Sequence, residues 1–203
     1  MSVFSVTSPA SEVSLLTIAE LRAAAGVSDG SQDEALLALG RQASTAIARR
    51  CNIRDDGVNP PTLLRETCQE TFRWSDCGPL KLARRPVTSI VSVTLDGTAV
   101  DSASYETINR DLYYLSGDDL SDWAAGKIIV SFIAGYASTP LDLKQAASKV
   151  VTSLHTETAR DPSLKREDIY GVMEREYWVS PADDPLFSKE ITDLLSPYVE
   201  RYV

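Results

Sequence analysis

A nucleophile–base site needs a group that takes up a proton near neutral pH, and the 203-residue sequence holds one histidine, His155, in "SLHTET". It stands beside the apolar stripe of a helical stretch. A surface or partly packed histidine explains it better than a general base. No His-Glu-x-x-His or Gly-rich phosphate loop occurs; Gly26 and Gly30 flank "VSD" and merely separate two helical segments. Cys51, Cys68 and Cys77 are an odd set with no Cys-x-x-Cys pair, which suits a reducing compartment and core or surface roles. Zinc would need a fourth ligand, and His155 is far away in sequence. The pairs Asp55-Asp56, Asp118-Asp119 and Asp183-Asp184 lack the alternating spacing of a calcium loop. A glycosidase-like carboxylate pair is unconstrained among 29 acidic residues. The expectation is a chain without catalytic, cofactor or metal site.

Binding residues are scarcely better defined. Trp74, Trp123, Tyr113, Tyr114 and Tyr136 would suit a sugar- or base-stacking surface, but at strand positions such residues are more often core. Lys81, Arg84 and Arg85 form the best basic cluster, read here as charges guarding a sheet edge. The net charge, 20 − 29 = −9, argues against duplex DNA binding by the chain as a whole. No apolar run approaches the ~18 residues of a membrane span. "MSVFSVTSPASEV" has no basic flank and no apolar core, so it does not read as a signal peptide.

The elements that must position these residues are clearer. Residues 1–14 are Ser/Thr-rich and read as an extended arm. "LTIAELRAAAGV" starts a helix, with Thr17 and Glu20 as a capping box, Leu16 and Leu21 as its staple, and Gly26 at the end. Ser31 and Glu34 suggest a second capping box before a helix whose buried stripe is Leu36, Gly40, Ala43 and Ile47. From Leu63 to Ile133 the period shifts to short strands, with a hairpin turn at Asp96-Gly97. "KIIVSFIAGY" closes that set. Thr139 and Pro140 then open a long helix with Leu143, Ala147, Val150 and Leu154 on one face. The predicted fold class is α+β: a helical frame, namely two N-terminal helices plus the helix after Pro140, holding an inserted antiparallel sheet, with an extended or helical C-terminal tail. The domain expectation is an arm over 1–14, a core over 15–160 with its β insert at about 63–133, and a tail over 161–203.

The tail is acidic yet rich in aromatics. Residues 155–203 hold eleven acidic and six basic residues. Asp184 and Pro185 are placed to start a helix, and Phe187, Ile191, Leu194, Leu195, Tyr198 and Tyr202 recur at helical steps. Pro197 should kink or end it. Such a segment either docks on its own domain or fills a groove on a partner.

The order of segments resembles a known family. "LTIAELRAAAGVSDGSQDEALLALGRQASTAIARRCN" resembles the opening helical hairpin of head–tail connector (adaptor) proteins of long-tailed bacteriophages and gene-transfer particles. "LKLARRPVTSIVSVTLDG" is similar to that family's strand and hairpin, with Ala83 where a Pro is usual. "VSFIAGYASTPLDLKQAASKVVTSL" resembles its strand ending in Ala-Gly-Tyr, followed by a loop and a long helix. "LLSPYVERYV" is similar to its C-terminal ending. The resemblance covers about Leu15–Glu157 and the last ten residues.

This resemblance implies a structural protein of a virion or phage-like particle neck, assembled in the bacterial cytoplasm, with no cofactor. It implies a homo-oligomeric ring, a dodecamer, bound beneath the portal protein and presenting a surface to stopper or tail proteins. Packaged DNA would pass through the channel without specific binding, and no membrane is involved. The portal contact is placed on Trp178, Leu186, Phe187, Ile191, Leu194, Leu195, Tyr198 and Tyr202. Stopper or tail-completion protein is the alternative reading, followed by a small carboxylate-based hydrolase or a binding module.

Overall fold

The computed structural model describes residues 2–74, 78–158, 166–169, 173–176 and 186–200. Helices and antiparallel strands make an α+β fold. The chain forms two compact units, one of residues 1–13 and 52–138, the other of residues 14–51 and 139–203.

The second unit is helical. It contains α1 (Ile18–Ala25), α2 (Asp33–Arg50), α3 (Leu141–Thr158) and α4 (Lys189–Leu195). The Thr17–Glu20 capping box forms, and Gly26 ends α1 in the left-handed conformation. Glu20 is also held by Lys144 of α3 at 2.7 Å. The second capping box does not form. Ser31 turns back to Asp29, donating its N–H at 2.9 Å, and Gln32 at the start of α2 makes no side-chain cap. Asp33 in the first turn instead takes Arg22 Nε at 2.7 Å, placing a carboxylate at the positive end of the helix.

Leu36, Gly40, Ala43 and Ile47 are buried as their spacing predicts. A Cβ on Gly40 would come within 2.9 Å of both the Leu21 side chain and Ser14 Oγ, so glycine lets α1 and α2 close on one another. α3 packs against α1, α2 and α4. Leu143 and Val150 are fully buried, whereas Leu154, expected in the same stripe, is only half-buried near the end of the helix. Residues Arg166–Ile169 (β10) and Met173–Glu176 (β11) form an antiparallel ribbon.

The first unit carries the remaining strands: β1 (Ser2–Ser8), β2 (Glu66–Trp74), β3 (Leu80–Lys81), β4 (Val87–Leu95), β5 (Thr98–Ala99), β6 (Tyr105–Ile108), β7 (Asp111–Ser116), β8 (Asp119–Ser121) and β9 (Gly126–Ala134). One sheet runs β1-β2-β9-β4-β5. A second runs β3-β7-β6, with β8 on β7. The stretch expected as an arm is extended, and its residues 2–8 pair with β2 as an edge strand. β9 lies at the centre of its sheet and alternates, turning Ile128, Val130, Phe132 and Ala134 inward. Asp96 and Gly97 both have positive φ, 48° and 86°, as a type I′ hairpin requires.

The end of β9 explains the Ala-Gly-Tyr sequence. Gly135 has φ +96°, and a Cβ there would lie 2.3 Å from Leu64 O. The backbone of Leu63–Arg65 crosses at this point. Tyr136 N–H donates to Leu63 O and Arg65 N–H to Tyr136 O. Only glycine lets the two backbone segments touch here.

Candidate functional site

In the helical unit, the segment expected to meet a partner lies on α3. The sequence places its helix start at Asp184 and Pro185, which lie outside the described residues. α4 itself begins at Lys189, where Ser188 Oγ accepts the Ile191 N–H at 3.4 Å. A 3-10 turn over Ser196–Tyr198 absorbs Pro197 and ends the helix. Phe187, Ile191 and Leu195 are 9%, 3% and 1% exposed, which makes this face of the segment part of the unit's own core. Leu186, Leu194 and Tyr198 are half-buried at its rim. Lys149 of α3 pairs with Glu190 at 3.0 Å, and Glu200 N–H donates to Cys51 O at 2.8 Å, fastening the segment at both ends. Trp178 and Tyr202 lie outside the described residues.

In the other unit the structure reveals a site the sequence reading missed. Arg84 is not an edge charge. It is 5% exposed, with Nη1 2.9 Å from Glu66 Oε2 and 2.6 Å from Thr62 O. Glu70 is fully buried nearby. Its Oε2 accepts the Ala83 N–H at 2.9 Å, and its Oε1 lies 3.2 Å from Arg54 Nη1. The guanidinium groups of Arg54 and Arg84 both stand over the Phe4 ring, at 5.8 and 5.4 Å from its centroid. Burial pushes the Glu66 and Glu70 carboxyls above the usual range, against the pull of their arginines. Burial also raises the Cys68 thiol to about 12, which leaves it unreactive.

This cluster holds β1 in place. Arg54 Nη2 donates to Ser2 O at 2.9 Å, Asp56 Oδ2 accepts the Val6 N–H at 3.0 Å, and Glu66 Oε1 accepts the Ala10 N–H at 3.4 Å. Ser2 O and Val6 N thus bond to side chains rather than to β2, so the outer edge of the sheet is covered at two points. Burial works against the charge on Asp56. The N–H groups of Asn59, Val58 and Val6 and the Asn59 side chain outweigh it and hold the carboxyl well below its ordinary range. Every one of these charges has a structural partner, and the one thiol among them, that of Cys68, is held protonated by burial. The only signal in the sequence was the presence of Glu66 and Glu70 at inward positions of an otherwise apolar strand pattern.

The residues first considered for chemistry stay apart. His155 is half-buried on α3, and Cys51 and Cys68 are buried. Trp123 is a core residue whose indole N–H donates to Leu112 O at 2.9 Å, with the Tyr114 ring 5.4 Å away. Among the described residues, no group of three His, Cys, Asp or Glu side chains is placed to hold a metal ion, and no helix is long and apolar enough to cross a membrane.

No protein-family model matches the sequence. No curated protein matches it either. Solved structures do. A chain in the neck of the empty GTA (gene transfer agent) particle, computed with C6 symmetry, superposes with a TM-score of 0.61 at 19% identity, over 98% of this chain and 96% of that one. The chain has the fold of a GTA neck protein. A chain in the neck of the native GTA particle, computed with C12 symmetry, matches at a TM-score of 0.57, again at 19% identity and over 98% and 96% of the two chains. The GTA neck fold thus spans both units and the C-terminal segment, including the segments that carry the resemblance in the sequence. At 19% identity the likeness concerns the fold and not individual contacts.

Proposed function

We infer that the chain is a structural head–tail adaptor: a ring-forming protein that sits beneath the portal of a phage-like particle, extends its DNA channel and joins the head to stopper or tail. The observation that carries this reading is the match over nearly the whole of both chains to a component of a symmetric particle neck. The buried cluster around Arg84 and Glu70 holds strands and the buried cysteines pack in the core, which suits a part whose work is geometric. A net charge of −9 suits a channel that repels phosphate and lets DNA slide. A dodecameric ring is the assembly we favour.

We place the portal contact on the segment from Trp178 to Tyr202. Leu186, Leu194 and Tyr198 present their half-exposed sides directly. Phe187, Ile191 and Leu195 anchor the segment on α3. Trp178 and Tyr202 flank it as aromatic contacts, a residue type enriched at binding hot spots. The test is electron microscopy of the purified protein with and without portal. Rings seated on the portal are expected. Absence of any ring in the presence of portal would overturn the adaptor reading. The variant Leu194→Asp with Tyr198→Ala should fold and lose portal binding. Unchanged binding would move the contact elsewhere.

A further inference from the structure

The first sheet has two outer edges, and they are treated differently. β1 is covered: Arg54 takes Ser2 O and Asp56 takes Val6 N. β4 is not. Between Val87 and Ser92 no strand or side chain of the described residues bonds to its outer side, since β5 pairs only with Thr94 and Leu95. β4, "VTSIVSVTL", carries no charge over nine residues, and Val91 is 57% exposed at a bulge. An uncharged, uncovered edge is a template for another strand.

Among the described residues, β10 and β11 pair only with each other. The register pairs Arg166 with Glu176 and Glu167 with Arg175. A two-stranded ribbon alone is at best marginally stable in water and needs a third strand or a packing surface. Its strands are four residues long.

We propose that the β10–β11 ribbon of one copy adds to the outer edge of β4 in a second copy. This rests on the ring reading above. A chain with one unfilled acceptor edge and one unjoined ribbon makes a head-to-tail contact, and such contacts close into rings when the rotation between copies is right. The structural neighbours come from particle necks computed with C6 and C12 symmetry, in which equivalent contacts repeat around an axis. The covered β1 edge then acts as a block, leaving β4 as the edge that accepts.

The experiment is thiol cross-linking between two singly substituted full-length proteins, both carrying Cys77→Ser. One has Val91→Cys. The other has Glu167→Cys or Asp168→Cys, adjacent positions that sample both faces of the ribbon. Cys51 and Cys68 are buried and stay silent. A covalent heterodimer is expected with at least one ribbon variant, at a yield several-fold above a control partner with Asp118→Cys. A yield no higher than the control would overturn the proposal. So would efficient cross-linking within one chain in the dilute double variant, because the ribbon would then serve its own copy. Cross-linking failure with rings still visible on the portal sinks this contact and leaves the adaptor reading standing. Cross-linking without rings keeps the contact and sinks that reading.

Discussion

Arg84 and Glu66 form an ion pair at 2.9 Å with side chains 6% and 2% exposed. Two charges this far from water stabilise the fold only as a pair, since either alone bears the full cost of desolvation. Arg84→Ala should therefore cost ~3–5 kcal/mol. Replacing both, with Arg84→Met and Glu66→Leu, should recover most of that loss. Urea denaturation of the two variants checks this, and equal loss in both would show that the pair is not the source.

Asp56 gives the same unit a pH dependence. Its folded carboxyl titrates below the ordinary value of ~3.9, so the bonds it accepts from Val6, Val58 and Asn59 stabilise the fold above that pH. That stability drains away as the pH falls from the unfolded value through the folded one. Glu66 and Glu70 act in the opposite sense, because their raised values make protonation favour the folded form. The melting temperature of wild type should fall on acidification below about pH 4, and Asp56→Asn should show a shallower fall from a lower neutral starting point. Parallel curves would assign the acid sensitivity to other groups.

Gly135→Ala should destabilise by at least ~1 kcal/mol, because the new methyl meets the Leu64 carbonyl and the backbone is held at positive φ. Gly57→Ala, also at positive φ but with open space around it, should cost less. Thermal melts of the two variants separate close approach from conformational preference.

In the helical unit, Leu143→Ala should cost ~2–5 kcal/mol. Leu154→Ala should cost distinctly less, because Leu154 is half-buried. Denaturant midpoints give the comparison.

The regular elements were legible because their signals are local. Thr17 and Glu20 are three residues apart, and Asp96-Gly97 needs only its own dihedral angles. What failed depended on competition or on distant neighbours. Ser31 is a good cap in isolation, but Asp29 two residues away takes both its hydroxyl and its N–H. Arg84 sits in a run of basic residues between short strand signals, and nothing within ten residues announces Glu66 or Thr62. The amphipathic pattern of residues 187–195 was legible, but a pattern names a buried face without naming what covers it. The structure places Phe187, Ile191 and Leu195 against their own unit. Leu186, Leu194 and Tyr198 remain half-exposed.

The division into units has a consequence for how the protein is made. The helical unit needs residues 14–51 and 139–203, and the other unit is threaded between them. On the ribosome, α1 and α2 emerge 88 residues before α3 begins to follow, counting from Cys51 to Thr139. At ~5–20 residues per second, Leu21, Leu36 and Ile47 spend about 4–18 s without their partner helix. During that interval the sheet unit can finish, since its last strand ends at Ala134. Synthesis thus favours an order in which the strand-rich insert folds first and the helical frame closes last.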